Sequence, residues 1–349
     1  MANQESGHIS LRDIAERAKV TRMTVSLALR GHPSIPAATR RRIQAIAREL
    51  GHRRDPVVSE LMSNLRKVTL KRNTETIAVV TQSVGGANWR KFATASGYGK
   101  GAAKRAAEHG YTLSEFHLGD SGISARRLSD ILVARGIQGV LIMPTLDPRG
   151  SFELEMDFRQ FSMATIAYSL HSPQLHRCST HHFSGAYEAF SQLAKLGYRK
   201  IGLVLNAEMD QRSGHNWIGG FFSASFQHTG IHAAHPLVQD LITSTKFQTW
   251  FRKQRPDAIV HVGPEPIIEW LRQCSQTASR SVGYANLDLA FAPKGASGID
   301  QQTESIGAGA LDLVVEGMRN HERGIPGNQK NLMLEGVWRA GSTTPNQRS

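Results

Sequence analysis

The sequence predicts an α/β protein in which an N-terminal all-α head, carrying a helix-turn-helix, precedes a body of parallel sheets folded into two lobes. Three observations carry this prediction. The first fifty residues hold three short apolar patterns of helical period. From about residue 77 to residue 320, apolar runs of strand length alternate with helical patterns. Ten or so such strands exceed one comfortable sheet, and 349 residues exceed one small core. The expected division is a head at 8–54, a hinge helix and linker at 55–74, the two-lobed body at 75–341 and a polar tail at 342–349.

In the head, Ser10 followed by Asp13 resembles a capping box, and Leu11, Ile14, Ala15 and Ala18 then recur at helical spacing. A first helix over Leu11–Ala18 follows. Lys19, Val20 and Thr21 make a tight connection, with Thr21 as N-cap of a second helix that turns Val25, Ala28 and Leu29 inward. A third helix begins after Pro36, aligns Ile43, Ile46, Ala47 and Leu50, and ends at Gly51, suited to a left-handed C-cap. These three stripes close a minimal core.

The second helix then presents Arg22, Met23, Ser26 and Leu27 outward, where the N-terminal part of such a helix enters a major groove. Arg22 can make two hydrogen bonds to a guanine edge, while Met23 and Leu27, four apart on one stripe, suit thymine methyls. Thr21, Thr24 and Arg30 are placed for phosphates. The competing expectation is that Met23 and Leu27 pack inside the head. Beyond it, Asp55-Pro56 opens a short helix with Val57, Leu61 and Leu65 at four-residue intervals. Such a helix is marginal in water and needs a symmetry mate and the minor groove, where Leu61 is the natural wedge between base pairs. The competing expectation is an ordinary linker helix against the body.

Charge supports this placement. Residues 1–73 hold 15 Lys/Arg against 6 Asp/Glu, a net of +9 out of +13 for the chain, as expected of a segment that displaces counterions from phosphates. Two cysteines, Cys178 and Cys274, make neither a disulfide framework nor a zinc module. The polar start Met1–Gly7 lacks the apolar core of a secretory signal, and no apolar run approaches a membrane span, so a cytoplasmic location is expected.

The body reads in order as a strand at Ile77–Val80, a helix at Tyr98–His109, Tyr111–Phe116, a helix at Ser124–Arg135, Val140–Met143 and Ala164–Ala167. It continues with a helix at Gly185–Leu196, Ile201–Leu205, a helix at Trp217–His228, Ala258–Val260, Ile267–Cys274, Ser281–Tyr284 and a helix at Ser305–Asn320. Open α/β sheets bind ligands beyond the C-terminal ends of their strands, and two facing lobes make a cleft there. Gln82, Ser83, Asn206, Asn286 and Asp288 stand at such ends, and Arg212 and Trp217 follow closely on another. A guanidinium fork and an indole face suit sugar hydroxyls. A solvated loop position is the competing expectation for each.

The stretch Ile9–Gly31 with Thr39–Gly51 closely resembles the head of the LacI/GalR (lactose repressor/galactose repressor) family of transcription regulators. The resemblance implies DNA contacts at Thr21, Arg22, Met23, Thr24, Ser26 and Arg30, and identifies Leu61 with the family's intercalating hinge leucine. Ser10, Leu27 and Val57 complete the candidate DNA set. Leu27 stands where arginine is frequent, Arg30 where asparagine is usual, and Val58 and Glu60 where the hinge is small or neutral. Further segments, Leu196–Gly202, Arg255–Ile259, Gly298–Gln302, Ile306–Ala310 and Trp338–Thr343, resemble the periplasmic-binding-protein-like effector domain of the same family. By position the resemblance gives Arg212, Gln301 and Asp288 as effector-cleft residues, beside Gln82 and Trp217. His181 and His182 replace an Asp-Asn pattern and Gly263-Pro264 replaces Asn-Asp, which argues against an ordinary hexose.

The implied function is a repressor acting as a homodimer on pseudo-palindromic double-stranded operator DNA, controlled by a small-molecule effector of the carbohydrate class. A phosphorylated sugar, a nucleobase or no small ligand are the alternatives, and Arg90, Lys91, Lys100 and Arg212 favour an anion if they face the cleft. His171, His176, Cys178, His181 and His182 invite a zinc reading, but their spacing lacks a Cys-x-x-Cys pair, and loop histidines are the default. The glycines at Gly97–Gly101 lack a full phosphate-loop signature. No cofactor and no enzymatic activity are expected.

Overall fold

The computed structural model describes residues 11–29, 32, 34–50, 75–82, 89–119, 123–145, 150–275 and 282–347. In the head, α1 (Leu11–Ala18), α2 (Arg22–Leu29) and α3 (Ala37–Glu49) close on Ile14, Ala15, Ala18, Val25, Ala28, Ile43 and Ala47, the residues that the helical period selects. Lys19, with φ 53°, makes the tight turn. Arg42 donates from α3 to the carbonyl of Ala18 at 3.2 Å, tying the end of α1 down. The capping-box serine Ser10 and the C-cap Gly51 lie outside the described residues.

The body begins with β1 (Thr76–Gln82), a 3-10 turn at Trp89–Lys91, α4 (Ala93–His109), β2 (Thr112–Leu118), α5 (Ala125–Ala134) and β3 (Gly139–Ile142). There follow β4 (Phe152–Glu153), β5 (Ser162–Ile166), β6 (Leu170–Ser172) and β7 (His176–Thr180). The next stretch holds α6 (His182–Lys195), β8 (Lys200–Asn206), α7 (Ala207–Arg212), α8 (Asn216–Gln227), β9 (His232–Ala233), β10 (Leu237–Gln239) and α9 (Ser244–Gln254). After β11 (Ala258–Val262), α10 (Ile267–Ser275), β12 (Gly283–Asn286) and β13 (Ser297–Asp300), the chain ends with α11 (Thr303–Asn320), β14 (Asn331–Leu334) and β15 (Val337–Arg339).

Two sheets result. The first runs β14-β7-β5-β3-β1-β2, parallel throughout, and the second runs β10-β8-β11-β12-β13-β15, with β9 beside β8 and only the β13–β15 pair antiparallel. A small β4–β6 ribbon flanks the first. Buried apolar clusters cover both faces of each sheet, the arrangement that parallel strands require. The chain passes between lobes three times: from β7 into α6, from β13 into α11, and from β14 into β15. Helix α11 therefore belongs to the first lobe, where Ile306, Ala310 and Val314 pack with Ile77 and Leu141. Gly97 and Gly101 of α4 face Thr303 and the backbone of Glu304, and Gly307 faces the backbone of Tyr98, so the two helices approach more closely than a methyl group permits.

Several parts of this fold depart from the sequence reading. The histidine-rich segment expected as loop contains β7, whose five residues are all buried between β5 and β14. Its polar side chains find partners that a periodicity argument cannot register: His176 Nδ1 accepts from Lys330 N–H at 3.1 Å, and the Thr180 hydroxyl donates to Gln301 Oε1 at 3.1 Å. Helix α9, capped by the Thr243 hydroxyl accepting from Lys246 N–H at 3.3 Å, turns only Phe247 and Trp250 fully inward and has too thin a stripe to stand out. The polar residues after Gly341 are stitched onto the second lobe, where Thr343 Oγ1 donates to Tyr284 O at 2.7 Å and Tyr198 Oη to Pro345 O at 2.9 Å.

Candidate functional site

The head presents a helix whose start is fixed by one side chain. Thr21 Oγ1 accepts from the Thr24 N–H at 3.1 Å, and the two hydroxyls lie 2.9 Å apart. From that cap, Arg22 and Met23 project into solvent, Met23 with 70% of its surface exposed, while Thr24, Ser26 and Leu27 are half-buried. Neither Met23 nor Leu27 belongs to the apolar cluster of the head. Arg12, Glu16, Lys19, Thr21 and Arg22 line a shallow groove where α1 meets α2. The start of α2 therefore offers a guanidinium and a thioether to a groove edge, with Lys19 and Arg12 alongside for phosphates. The other candidates, Ser10, Arg30, Val57 and Leu61, lie outside the described residues.

In the body, four of the five cleft candidates come to the junction of the lobes. Arg212, the last residue of α7 in the second lobe, donates to the carbonyl of Gly150 in the first. Asp288, after β12, accepts from Ala290 N–H at 2.9 Å and, across the cleft, from Thr94 Oγ1 at 3.3 Å. It is 3% exposed, and burial pushes its carboxyl up to about 6 against the hydrogen bonds that favour the anion. Gln301 donates to Leu287 O at 2.8 Å while its carbonyl takes the Thr180 hydroxyl, joining the end of β7 to the strand crossing. Trp217 is 5% exposed and packs in the second lobe's core. Its indole lies 4.2 Å from the His182 ring, so that neighbour takes a face expected for a ligand. Gln82 ends β1, half-buried, and no side-chain bond among the described residues joins it to the other four.

Of the remaining strand-end residues, Ser83 lies outside the described residues and Asn206 and Asn286 are structural. Asn206 caps α7 by accepting from Met209 N–H at 3.1 Å and donates to Asp240 O at 2.6 Å. Asn286 donates to Tyr284 Oη at 2.7 Å and accepts from Asp288 N–H at 2.8 Å, holding the loop that carries the carboxylate. Beside it, His261 lies 3.2 Å from Tyr284 Oη and 3.3 Å from Glu265 Oε2, a buried polar chain. Of the other cations considered for the cleft, Arg90 pairs with Glu115, and Lys91 and Lys100 are exposed.

Sequence reasoning missed Thr94, Tyr98 and Tyr168 and left His182 among loop histidines. Tyr98, on α4, is buried, and burial with the nearby Asp288 pushes its phenol pKa upward. The His182 ring sits between Trp217 and Tyr168, the latter at 5.6 Å. Burial, with Arg212 next in effect, depresses its pKa to about 3, so the imidazole is neutral, and its buried Nδ1 has no hydrogen-bond partner among the described residues. Had β7 been legible as a strand, the rule about strand ends would have selected His182. Among the described residues no cluster of three or more histidine, cysteine or acidic side chains is arranged for a metal. His176 and Cys178 lie within β7, and His181 bonds Glu335 at 2.7 Å. Nor, among the described residues, is any helix long and apolar enough to cross a membrane.

Comparison with known proteins bears on both halves. Residues 10–55 match the family profile described as bacterial regulatory proteins, lacI family. The HTH-type transcriptional repressor CytR of Escherichia coli strain K12 is 22% identical over 209 residues, 59% of this chain and 56% of that protein. The chain thus matches little more than half the length of the curated relatives. Among solved structures, a CelR–cellobiose complex aligns with TM-score 0.54 and 19% identity over 96% of this chain and all of the other. The lac repressor dimer bound to operator and the anti-inducer ONPF gives 0.52 and 16% over 97% of this chain and all of the other. At such identities the likeness is one of fold.

Proposed function

We propose that this chain, whose head is that of the lacI family of bacterial regulatory proteins and whose body shares the fold of the lac repressor, is a sequence-specific, DNA-binding transcriptional repressor governed by a small effector. The observation that carries the reading is the capped α2, which holds Arg22 and Met23 out of the core at the end of the chain richest in positive charge. Thr21, Arg22, Met23, Thr24, Ser26 and Leu27 contact DNA, joined by Ser10, Arg30, Val57 and Leu61 from the segments around them. Residues 8–54 are the head, 55–74 the hinge and linker, and 75–341 the sensor.

One head reads only a few base pairs, so the protein acts in the cytoplasm as a homodimer on a pseudo-palindromic operator. The effector, of the carbohydrate class, lies between the lobes near Gln82, Arg212, Trp217, Asp288 and Gln301. The bonds Thr94–Asp288 and Arg212–Gly150 span that cleft, so a ligand that strengthens or displaces them changes the lobe angle and thereby the hinge. No reaction is assigned. CytR, as its name states, is a transcriptional repressor, and the cleft is read as a sensor.

Selection of random duplexes on the full chain tests the reading: an enriched palindrome is expected, and Arg22→Ala should relax the preference at one base pair of each half-site, at about 1–3 kcal/mol. Recovery of no consensus would sink it. Leu61→Ala should weaken specific binding more than binding to random duplex; equal losses would remove the wedge.

A further inference from the structure

Two buried nitrogens without partners among the described residues adjoin the same aromatic ring. Arg177, on β7, is 8% exposed; its Nη2 donates to Leu170 O at 3.3 Å, its Cζ stands 4.9 Å from the centre of the Tyr168 ring, and its Nε has no hydrogen-bond partner among the described residues. Among the described residues no carboxylate is within ion-pair distance of this guanidinium. On the ring's other neighbour, His182, the buried Nδ1 is likewise unpartnered. Buried arginines are ordinarily paired with an acid, because an uncompensated charge away from water is costly.

The surroundings have the same sign. The charges facing His182 are Arg212 of α7 and His181, the latter bonded to Glu335. Helix α6 starts at His182 with no side-chain cap, so its first amides add partial positive charge. Ser179 donates to Tyr168 Oη at 3.1 Å, fixing the ring that both groups adjoin. Asp288, the acidic member of the cleft, is held by Thr94 and Ala290.

We infer that the effector carries an anionic group, a phosphate or a carboxylate, which seats beside Tyr168 against Arg177, His182 and the start of α6. This deepens the proposed function and rests on the cleft being the sensor's binding site. A neutral imidazole can donate its single N–H and the guanidinium the N–H of its unpartnered Nε, with its charge behind it, a set that matches the oxygens of such a group better than the uncharged hydroxyls of a hexose.

The full-length chain is titrated with inorganic phosphate, malonate and glucose at ionic strength held constant with KCl, reading the thermal-unfolding midpoint and the calorimetric heat. A saturable response to phosphate or malonate and none to glucose is expected; phosphate alone assigns a phosphorylated ligand, malonate alone an acid. Arg177→Met removes the buried charge while keeping its bulk, and His182→Phe keeps the ring stack. Both should lower anion affinity at least tenfold, and Arg177→Met should leave the unliganded midpoint unchanged or higher, whereas a structural arginine would lower it. Saturation by glucose alone, a midpoint that follows ionic strength only, or variants that bind the anion like the parent would each overturn the inference. Because DNA selection is measured separately, a chain that finds its operator yet ignores both anions loses only the ligand class.

Discussion

The Thr21 hydroxyl decides where α2 begins, and hence where Arg22 and Met23 point. Thr21→Ala should cost the head about 1 kcal/mol, visible as earlier melting of its helical signal. Asp288 gives a prediction with a sign. Its folded pKa of about 6 lies above the ordinary 3.8, so between about pH 4 and 6 the folded chain holds a proton that the unfolded chain has lost. Stability from this group is therefore present at the acid end, falls as pH rises through that window and levels off above it, by roughly 2–3 kcal/mol. Asp288→Asn should abolish that part of the pH dependence in denaturant titrations; an unaltered slope would place the proton elsewhere. Asp288 and Arg212 stood out at or just after strand ends and Gln301 only through the family resemblance; all three come to the junction of the lobes. Trp217 was read for its chemistry, whereas its place on α8 with Phe221 and Ala224 makes it part of an inward stripe.

Among the elements, legibility followed the apolar pattern. The head helices, β1, β8, α8 and α11 stood out because one period dominates each. What stayed hidden was β7, since a strand of His, Arg, Cys, Ser and Thr looks solvated until its hydrogen bonds are known, and α4 was cut short because Ala93–Gly97 offers small residues where a stripe is sought. Those small residues matter to packing. Gly101→Ala would drive a methyl group into the Glu304 backbone and force α4 from α11, at about 1–3 kcal/mol, measured by urea unfolding of the full chain. A neutral result would mean that the helices can part without loss.

For the molecule as a whole, the proposed function and the unequal spread of charge together predict a DNA affinity that depends steeply on salt. If six phosphates are neutralised, affinity should fall on the order of 10³-fold between 50 and 200 mM salt, and a flat response would contradict a binding surface built on the basic head. Thr94→Val removes one of the bonds spanning the cleft and should widen the lobe angle, read as a larger radius of gyration in solution scattering. Two lobes were legible in the number of strands; their interweaving was not, because α11 and β14 return to the first lobe for reasons of topology that local patterns do not encode.

That interweaving limits how such a molecule can be rebuilt. Neither lobe is a continuous stretch of polypeptide, so grafting one onto a foreign scaffold needs matched junctions near 181, 302 and 335 at once. The head draws its core from residues 14–47 alone. A chimera that exchanges heads needs only the junction after the head to be matched, and it leaves the interwoven lobes whole.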